Sequence, residues 1–342
     1  MIFSFRLDFI SYKLYNKNMN FKKQLFNMAR QDLKVIVFPE ASFSDKVIQA
    51  IRLVEKYKIA KIILIGDESA LYMRYSNLEN DFVKVINPKT SELSIKFIED
   101  LKTDDKYKLC DQQELKDIVE DAFVFSALLV KNGYADGVVG GVETATPNFY
   151  NSLQEFLGKQ SADKVISSSV LFVGKNKKIN HPLLVADCSL MQNPSQQELV
   201  EGASNSVDFW KMMFISEPKV AFLSNNTNTK NETVISKATE DFKFKNPSII
   251  ADGEMQLDVA LNVNAQEKKF ENSRIKGDAN ILIAPNALSG NILAKSIAQI
   301  GGLTQIGLIT HGFLKPVANA SRTCTLEELV LLIAITAIQA QE

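Results

Sequence analysis

The side chains best suited to chemistry in this chain lie in HGFLKPVANASRTCTLEELV, residues 311–330. Ser321 brings a hydroxyl and Arg322 a guanidinium, just ahead of a helical pattern whose first backbone N–H groups lack intrahelical partners. Such a set suits a phosphate or the oxyanion of a tetrahedral intermediate. Thr325 and Glu328 form the T-x-x-E pattern of a capping box, in which hydroxyl and carboxylate satisfy backbone donors at a helix start. Capping explains Thr325 and Glu328 without catalysis. It leaves Ser321 and Arg322 unexplained, so these two are the first candidates for an anion site.

Residues that follow short apolar runs form a second group, because ligands of open α/β sheets bind beyond the carboxyl ends of the strands. They are Pro39-Glu40, Gly140–Thr144, Ser224–Thr227, Asp252–Asp258 and Pro285–Asn291, the last holding Asn286, Ser289 and Asn291. Gly140-Gly141 reads first as turn geometry. In ADGEMQLD the alternation of Asp252, Glu254, Gln256 and Asp258 puts polar groups on one face of an extended stretch, where a half-buried strand wants apolar residues.

The inventory removes other chemistries. With 39 Lys plus Arg against 40 Asp plus Glu, the net charge of −1 offers no field for nucleic acid. Two histidines leave no room for a multi-histidine metal site or a Ser-His-Asp triad. Three scattered cysteines (Cys110, Cys188, Cys324) make neither a disulfide framework nor a zinc cluster, and a reducing cytoplasm fits them. Proton transfer is left to carboxylates. No apolar run reaches the roughly 18 to 20 residues of a membrane span. The aromatic-rich first 18 residues, ahead of Met19, read as an upstream extension rather than a secretory signal.

The elements that must position these side chains alternate. LKVIVFPEA, AKIILIGD and FVKVINP are buried-type strands ended by Pro or Gly, with helical patterns between them. The spacing predicts one helix over 115–133, then a strand at 135–142. KVISSSVLFVG and HPLLVADCS read as a hairpin across KNKKIN. Further strands are expected at 219–225, 248–255 and 279–286. Buried strands alternating with helices imply covered, largely parallel sheets.

FPEASFSDKVIQAI, ADGVVGGVETATPNFYNSLQ, VADCSLMQNPS, EPKVAFLS, ADGEMQLDVAL, ANILIAPNALSGN and KPVANASRTCTLEELVLLIAITAIQA, in this order, resemble the phosphate acetyltransferase and butyryltransferase family from about residue 20 onward. The resemblance implies two α/β domains, parallel or mixed sheets flanked by helices, with an inter-domain cleft and an isocitrate/isopropylmalate dehydrogenase-like architecture. It places residues 1–155 with 308–342 in the first domain and 156–307 in the second. The implied reaction is acetyl-CoA plus phosphate giving acetyl phosphate plus CoA, by direct transfer, in a cytoplasmic homodimer of acetate metabolism. CoA, acyl-CoA, phosphate and acyl phosphate are the implied partners; no cofactor, metal, nucleic acid or membrane is expected. Ser321 would hydrogen-bond the tetrahedral intermediate, Arg322 would hold the phosphoryl group, and Glu328 stands where the family has an Asp proposed to deprotonate the CoA thiol. Thr144, Tyr150, Ser224, Asn226, Asp252, Gln256, Asp258, Asn286, Ser289 and Asn291 are the implied substrate or CoA contacts.

The chain departs from the family pattern at charged positions. KYKLCDQQELK holds no arginine where one is expected, with Lys106 and Lys108 as substitutes; Tyr150 stands for another arginine; the Ser-rich loop reads SNNTNTK; and Thr323 replaces a glycine. A member with weakened catalysis that binds CoA or a partner, and a transferase for larger acyl groups, are the alternatives.

Overall fold

A computed structural model describes residues 21–41, 44–75, 78–176, 178–228 and 232–342. The first 18 residues, the alternative start at Met19, and Thr229 and Lys230 of the SNNTNTK loop lie outside the described residues. The chain divides into two compact units, one of residues 25–162 with 313–342 and one centred on 163–312.

Helix α1 (Phe21–Ala29) leads into the first unit, which starts at Leu25, and buries Leu25, Phe26, Met28 and Ala29. Then come β1 (Val35–Phe38), α2 (Asp45–Tyr57), β2 (Lys61–Ile65), α3 (Glu68–Arg74), β3 (Val83–Ile86) and α4 (Glu92–Lys102). The single helix expected over 115–133 is two, α5 (Gln112–Glu120) and α6 (Ala122–Lys131). Asp121 breaks it: its Oδ1 accepts from Phe123 N and Val124 N, both at 2.9 Å, so the aspartate caps a new helix instead of continuing the old one. β4 (Gly137–Gly140) and α7 (Thr146–Phe156) follow.

The second unit opens with β5 (Ser167–Val173) and β6 (Leu183–Ala186), paired antiparallel with Ser169 opposite Ala186, the hairpin read from the sequence. It continues through α8 (Gln196–Met213), β7 (Lys219–Leu223), α9 (Val234–Lys245), β8 (Ile250–Met255), α10 (Leu257–Leu261), α11 (Val263–Lys269), β9 (Ile281–Ile283), α12 (Ala287–Gln299) and β10 (Thr304–His311). The chain then returns to the first unit with β11 (Val317–Asn319) and α13 (Leu326–Gln339).

Within the first unit the strands run β3-β2-β1-β4-β11, all neighbours parallel. The chain builds outward from β1 to β3 and then restarts on the other side at β4, so the order reverses between β1 and β4. Such a switch opens a crevice at the strand carboxyl ends. Helix α13 is buried along most of its length and packs on β4 and α2, which fixes the C-terminal segment against this switch. Within the second unit the order is β10-β5-β6-β9-β7-β8; β6, β9, β7 and β8 are parallel, while β10 and β5 run antiparallel. Its core gathers Val170, Phe172, Leu183, Val185, Leu282 and Ala294. The mixed α/β class expected from the sequence is the class observed.

Candidate active site

In the first unit, the chain leaving β1, β4 and β11 gathers at the switch. β1 delivers Glu40, wholly buried. Its Oε2 accepts from Val142 N at 2.8 Å and its Oε1 from Glu143 N at 3.2 Å and Thr144 N at 2.8 Å. Backbone donors replace water for a carboxylate that could not otherwise be buried. Glu40 therefore ties the end of β1 to the turn after β4. Gly141 in that turn has φ +83°, and a Cβ there would fall 2.6 Å from the Asn319 amide, so both backbone and space require glycine. Ala320 N donates to Gly140 O at 2.7 Å, joining the turn to the segment that carries Ser321 and Arg322.

Ser321 is half-buried and Arg322 exposed. Ser321 Oγ lies 3.0 Å from Thr323 Oγ1 and accepts from Thr323 N at 3.4 Å, a local turn that presents the guanidinium. Arg322 has no side-chain hydrogen bond or carboxylate partner among the described residues. The capping box forms as read: Thr325 N donates to Glu328 Oε2 at 2.7 Å and Glu328 N to Thr325 Oγ1 at 3.2 Å. Glu328 is thus held at the start of α13. Burial pushes the Cys324 thiol up, with Glu328 and Glu143 adding to the effect and Lys46 opposing it.

Tyr150 is placed in the core of this unit. Its ring stacks on Phe313 with centroids 6.2 Å apart and meets Phe149 edge-on at 5.2 Å. Lys106, expected to replace a missing arginine, is bound to Glu155, and Lys108 is paired with Asp105 at 2.7 Å. Lys106 and Glu155, with Asn151 and Gln154, line an open depression of the surface. The contact with Lys106 holds the Glu155 carboxyl below its ordinary range.

The second unit collects another group at the ends of β6, β9, β7 and β8. Asp187, buried after β6, accepts from Ser189 N at 2.6 Å, Leu190 N at 2.7 Å and Ser168 N at 2.5 Å. Asn286 caps α12 through Ser289 N at 2.9 Å, and Asn291 Nδ2 donates to Cys188 O at 3.4 Å. A Cβ on Gly290 would fall 1.9 Å from Asp187 O, so only glycine lets the helix approach. Asn286, Ser289 and Asn291 are thus brought together. Cys188 is a buried thiol whose pKa burial pushes well up, with Asp187 adding to the effect. Ser224 Oγ donates to Glu254 Oε1 at 2.7 Å and accepts from Asn226 N at 3.3 Å, which unites Ser224 and Asn226 around a buried carboxylate.

The ADGEMQLD expectation needs correction. β8 ends at Met255 and the chain turns into α10, so the acidic and amide groups do not share one extended face. Asp252 is buried, accepting from Arg274 N at 2.9 Å with Lys243 Nζ 3.6 Å away. Asp258 pairs with Lys269 at 2.7 Å, and Lys269 also reaches Gln256 Oε1 at 3.0 Å. The Lys269 hydrogen bond to its Oδ2 holds Asp258 below the usual carboxylate range.

Sequence reading missed Lys46, Asp187 and Asn319. Asp187 carried a signal, an acidic residue directly after the apolar run LLVA. Lys46 carried only a faint one, a basic residue at a helix start after a strand. Its Nζ donates to Arg322 O at 3.1 Å, a contact between residues 276 positions apart. Asn319 is buried, and its Nδ2 has no hydrogen-bond partner among the described residues.

Residues 20–337 match the family model described as phosphate acetyl/butaryl transferase. A phosphate acetyltransferase of Acetivibrio thermocellus is 32% identical over 329 residues, covering 94% of this chain and 99% of that protein. A phosphotransacetylase structure from Streptococcus pyogenes superposes with TM-score 0.83 at 27% identity, covering 94% of this chain and 99% of that one. Likeness of fold alone extends to 4-hydroxythreonine-4-phosphate dehydrogenase from Klebsiella pneumoniae, at TM-score 0.54 and 13% identity over 91% of this chain and 100% of that one. The matched span, the agreement of fold and the strand-end Ser-Arg pair together lead to one assignment: the chain belongs to the phosphate acetyl/butaryl transferase family.

Proposed function

We infer that the protein is an acyltransferase that interconverts acetyl-CoA plus phosphate with acetyl phosphate plus CoA. The observation that carries this reading is the Ser321-Arg322 pair, which follows a strand at the β1/β4 switch with its guanidinium unpaired among the described residues. A phosphate oxygen attacks the thioester carbonyl, the carbonyl electrons move onto oxygen, and the tetrahedral intermediate collapses with release of CoA thiolate. Ser321 Oγ–H donates to the developing oxyanion and Arg322 holds the phosphoryl oxygens through charge-assisted hydrogen bonds. In the reverse direction Glu328 takes the thiol proton, since a free thiol near pKa ~8.5 is mostly protonated at neutral pH. CoA is substrate, not cofactor, and no covalent enzyme intermediate is involved. The chain works as a cytoplasmic homodimer; its three cysteines are free, which suits a reducing compartment.

The test is phosphate-dependent loss of the acetyl-CoA thioester by the purified chain. Turnover is expected, with Ser321→Ala and Arg322→Ala each lowering kcat/KM by roughly 10²- to 10³-fold, as removal of one oxyanion donor does. Turnover unchanged in both variants would overturn the roles given to this pair.

A further inference from the structure

We propose that Lys46 is a second cation of the Ser321-Arg322 anion site and binds a phosphoryl group of a substrate. The proposal rests on the acyl-transfer reading above and adds a residue to it.

The chain lacks arginine at positions where its resemblance expects charge, and the lysines that stand nearest in sequence are occupied. Lys106 is held by Glu155 and Lys108 by Asp105. Lys46 is not so held. Its one recorded hydrogen bond is to Arg322 O at 3.1 Å, and no carboxylate pairs with it among the described residues. An ammonium has three N–H donors, so donors remain for a ligand. Lys46 is half-buried and sits in the first turn of α2. Ser44 fixes that turn, accepting from Val47 N at 3.4 Å and donating to Glu143 Oε1 at 2.9 Å. The ammonium is therefore delivered to the Ser321-Arg322 segment by a capped helix.

The acidic groups nearby have their own partners. Glu143 accepts from Ser44, and Glu328 Oε2 accepts from Thr325 N. A separate observation points the same way. Asn319, two residues before Ser321 and 3% exposed, keeps an Nδ2 donor with no acceptor among the described residues. Leaving a buried donor unmet costs roughly 1 to 3 kcal/mol, a cost that an incoming anion's oxygen or its bound water removes. Arg322 and the orphan amide of Asn319 lie three residues apart, and Lys46 reaches the same segment from α2 through Arg322 O, so two cationic groups without carboxylate partners among the described residues can supply donors to a phosphoryl group. That group belongs either to inorganic phosphate and acetyl phosphate or to CoA.

Steady-state kinetics of the full chain with wild type, Lys46→Met, Lys46→Gln and Lys46→Arg test this, with phosphate, acetyl-CoA and 3′-dephospho-acetyl-CoA varied in turn. Lys46→Met is expected to raise the KM for phosphate by roughly 10-fold or more, the worth of one charge-assisted contact, with Lys46→Arg recovering most of it. A rise confined to acetyl-CoA, smaller for the dephospho analogue, would assign the contact to a CoA phosphate and still support the anion role. No change in any KM, with all variants folded by circular dichroism, overturns the proposal. If Lys46→Met does not fold, Lys46→Gln carries the same comparison, because it keeps a donor for Arg322 O without the charge. A wild type without turnover would refute the acyl-transfer reading instead. Calorimetric titration with phosphate then decides for Lys46: binding by wild type that Lys46→Met loses supports the site, and equal or absent binding overturns it.

Discussion

Glu328 has two uses that one substitution separates. Its carboxylate closes the capping box with Thr325, and it is also the group assigned to take the thiol proton. Gln serves a capping box as well as Glu but cannot accept a proton at neutral pH. Glu328→Gln is therefore expected to leave the thermal midpoint within a few degrees while lowering kcat by roughly 10²-fold or more. Unchanged kcat would move the base elsewhere. Cys188 yields a simpler expectation. Because burial pushes its thiol well up, a thiol reagent at pH 8 should label native Cys188→Ala as fast and as fully as wild type. Labelling that falls by one thiol in the variant would show that the interior opens there.

Turns between elements carry the site, and two residues decide their shape. Glu40 holds three backbone N–H groups of the Gly140–Thr144 turn. Glu40→Ala orphans them at roughly 1 to 3 kcal/mol each, so a loss of about 3 kcal/mol or more is expected in denaturant unfolding, with activity lost alongside. A loss under about 1 kcal/mol would mean that water replaces the carboxylate. At Gly290 the approach of α12 to Asp187 O leaves no space for a methyl group. Gly290→Ala should cost roughly 3 kcal/mol, at the upper end for overpacking, and should disturb Asn286 and Asn291 together. A variant as stable as wild type would show that α12 shifts freely.

At the scale of the whole molecule, acid stability tests a buried group that the chemistry does not use. His311, on β10, keeps some exposure as a residue, but its ring is enclosed, with Nε2 2.8 Å from Ser169 Oγ and the Phe209 ring 5.6 Å away. Burial pushes it down from 6.5 to about 4. A histidine with a depressed folded pKa is neutral in the native state and takes a proton on unfolding. Its stabilising share is present above about pH 6.5 and is lost as pH falls toward 4. Between those values wild type should lose up to about 3 kcal/mol relative to His311→Gln, read from urea midpoints at each pH. Parallel curves for the two proteins would show that the ring is solvated.

The sequence by itself determined what is local. Apolar runs ended by Pro or Gly set β1, β2, β3 and β4, the T-x-x-E pattern set the start of α13, and the order of motifs from FPEA to SRTC gave the family. Local reading failed where a single polar residue redirects the backbone, as Asp121 does between α5 and α6, and where a strand gives way to a helix with no side-chain cap to mark it, as after β8. The Gly-interrupted segment 301–319 hid β10 and β11, because neither has the long apolar run that marks a buried strand. Only the tertiary structure decided which strand ends meet. That Glu40 grips a turn about a hundred residues away, and that Lys46 reaches Arg322 across 276 positions, follows from strand order and helix packing. Such contacts depend on which elements become neighbours, and no periodicity within either segment records that.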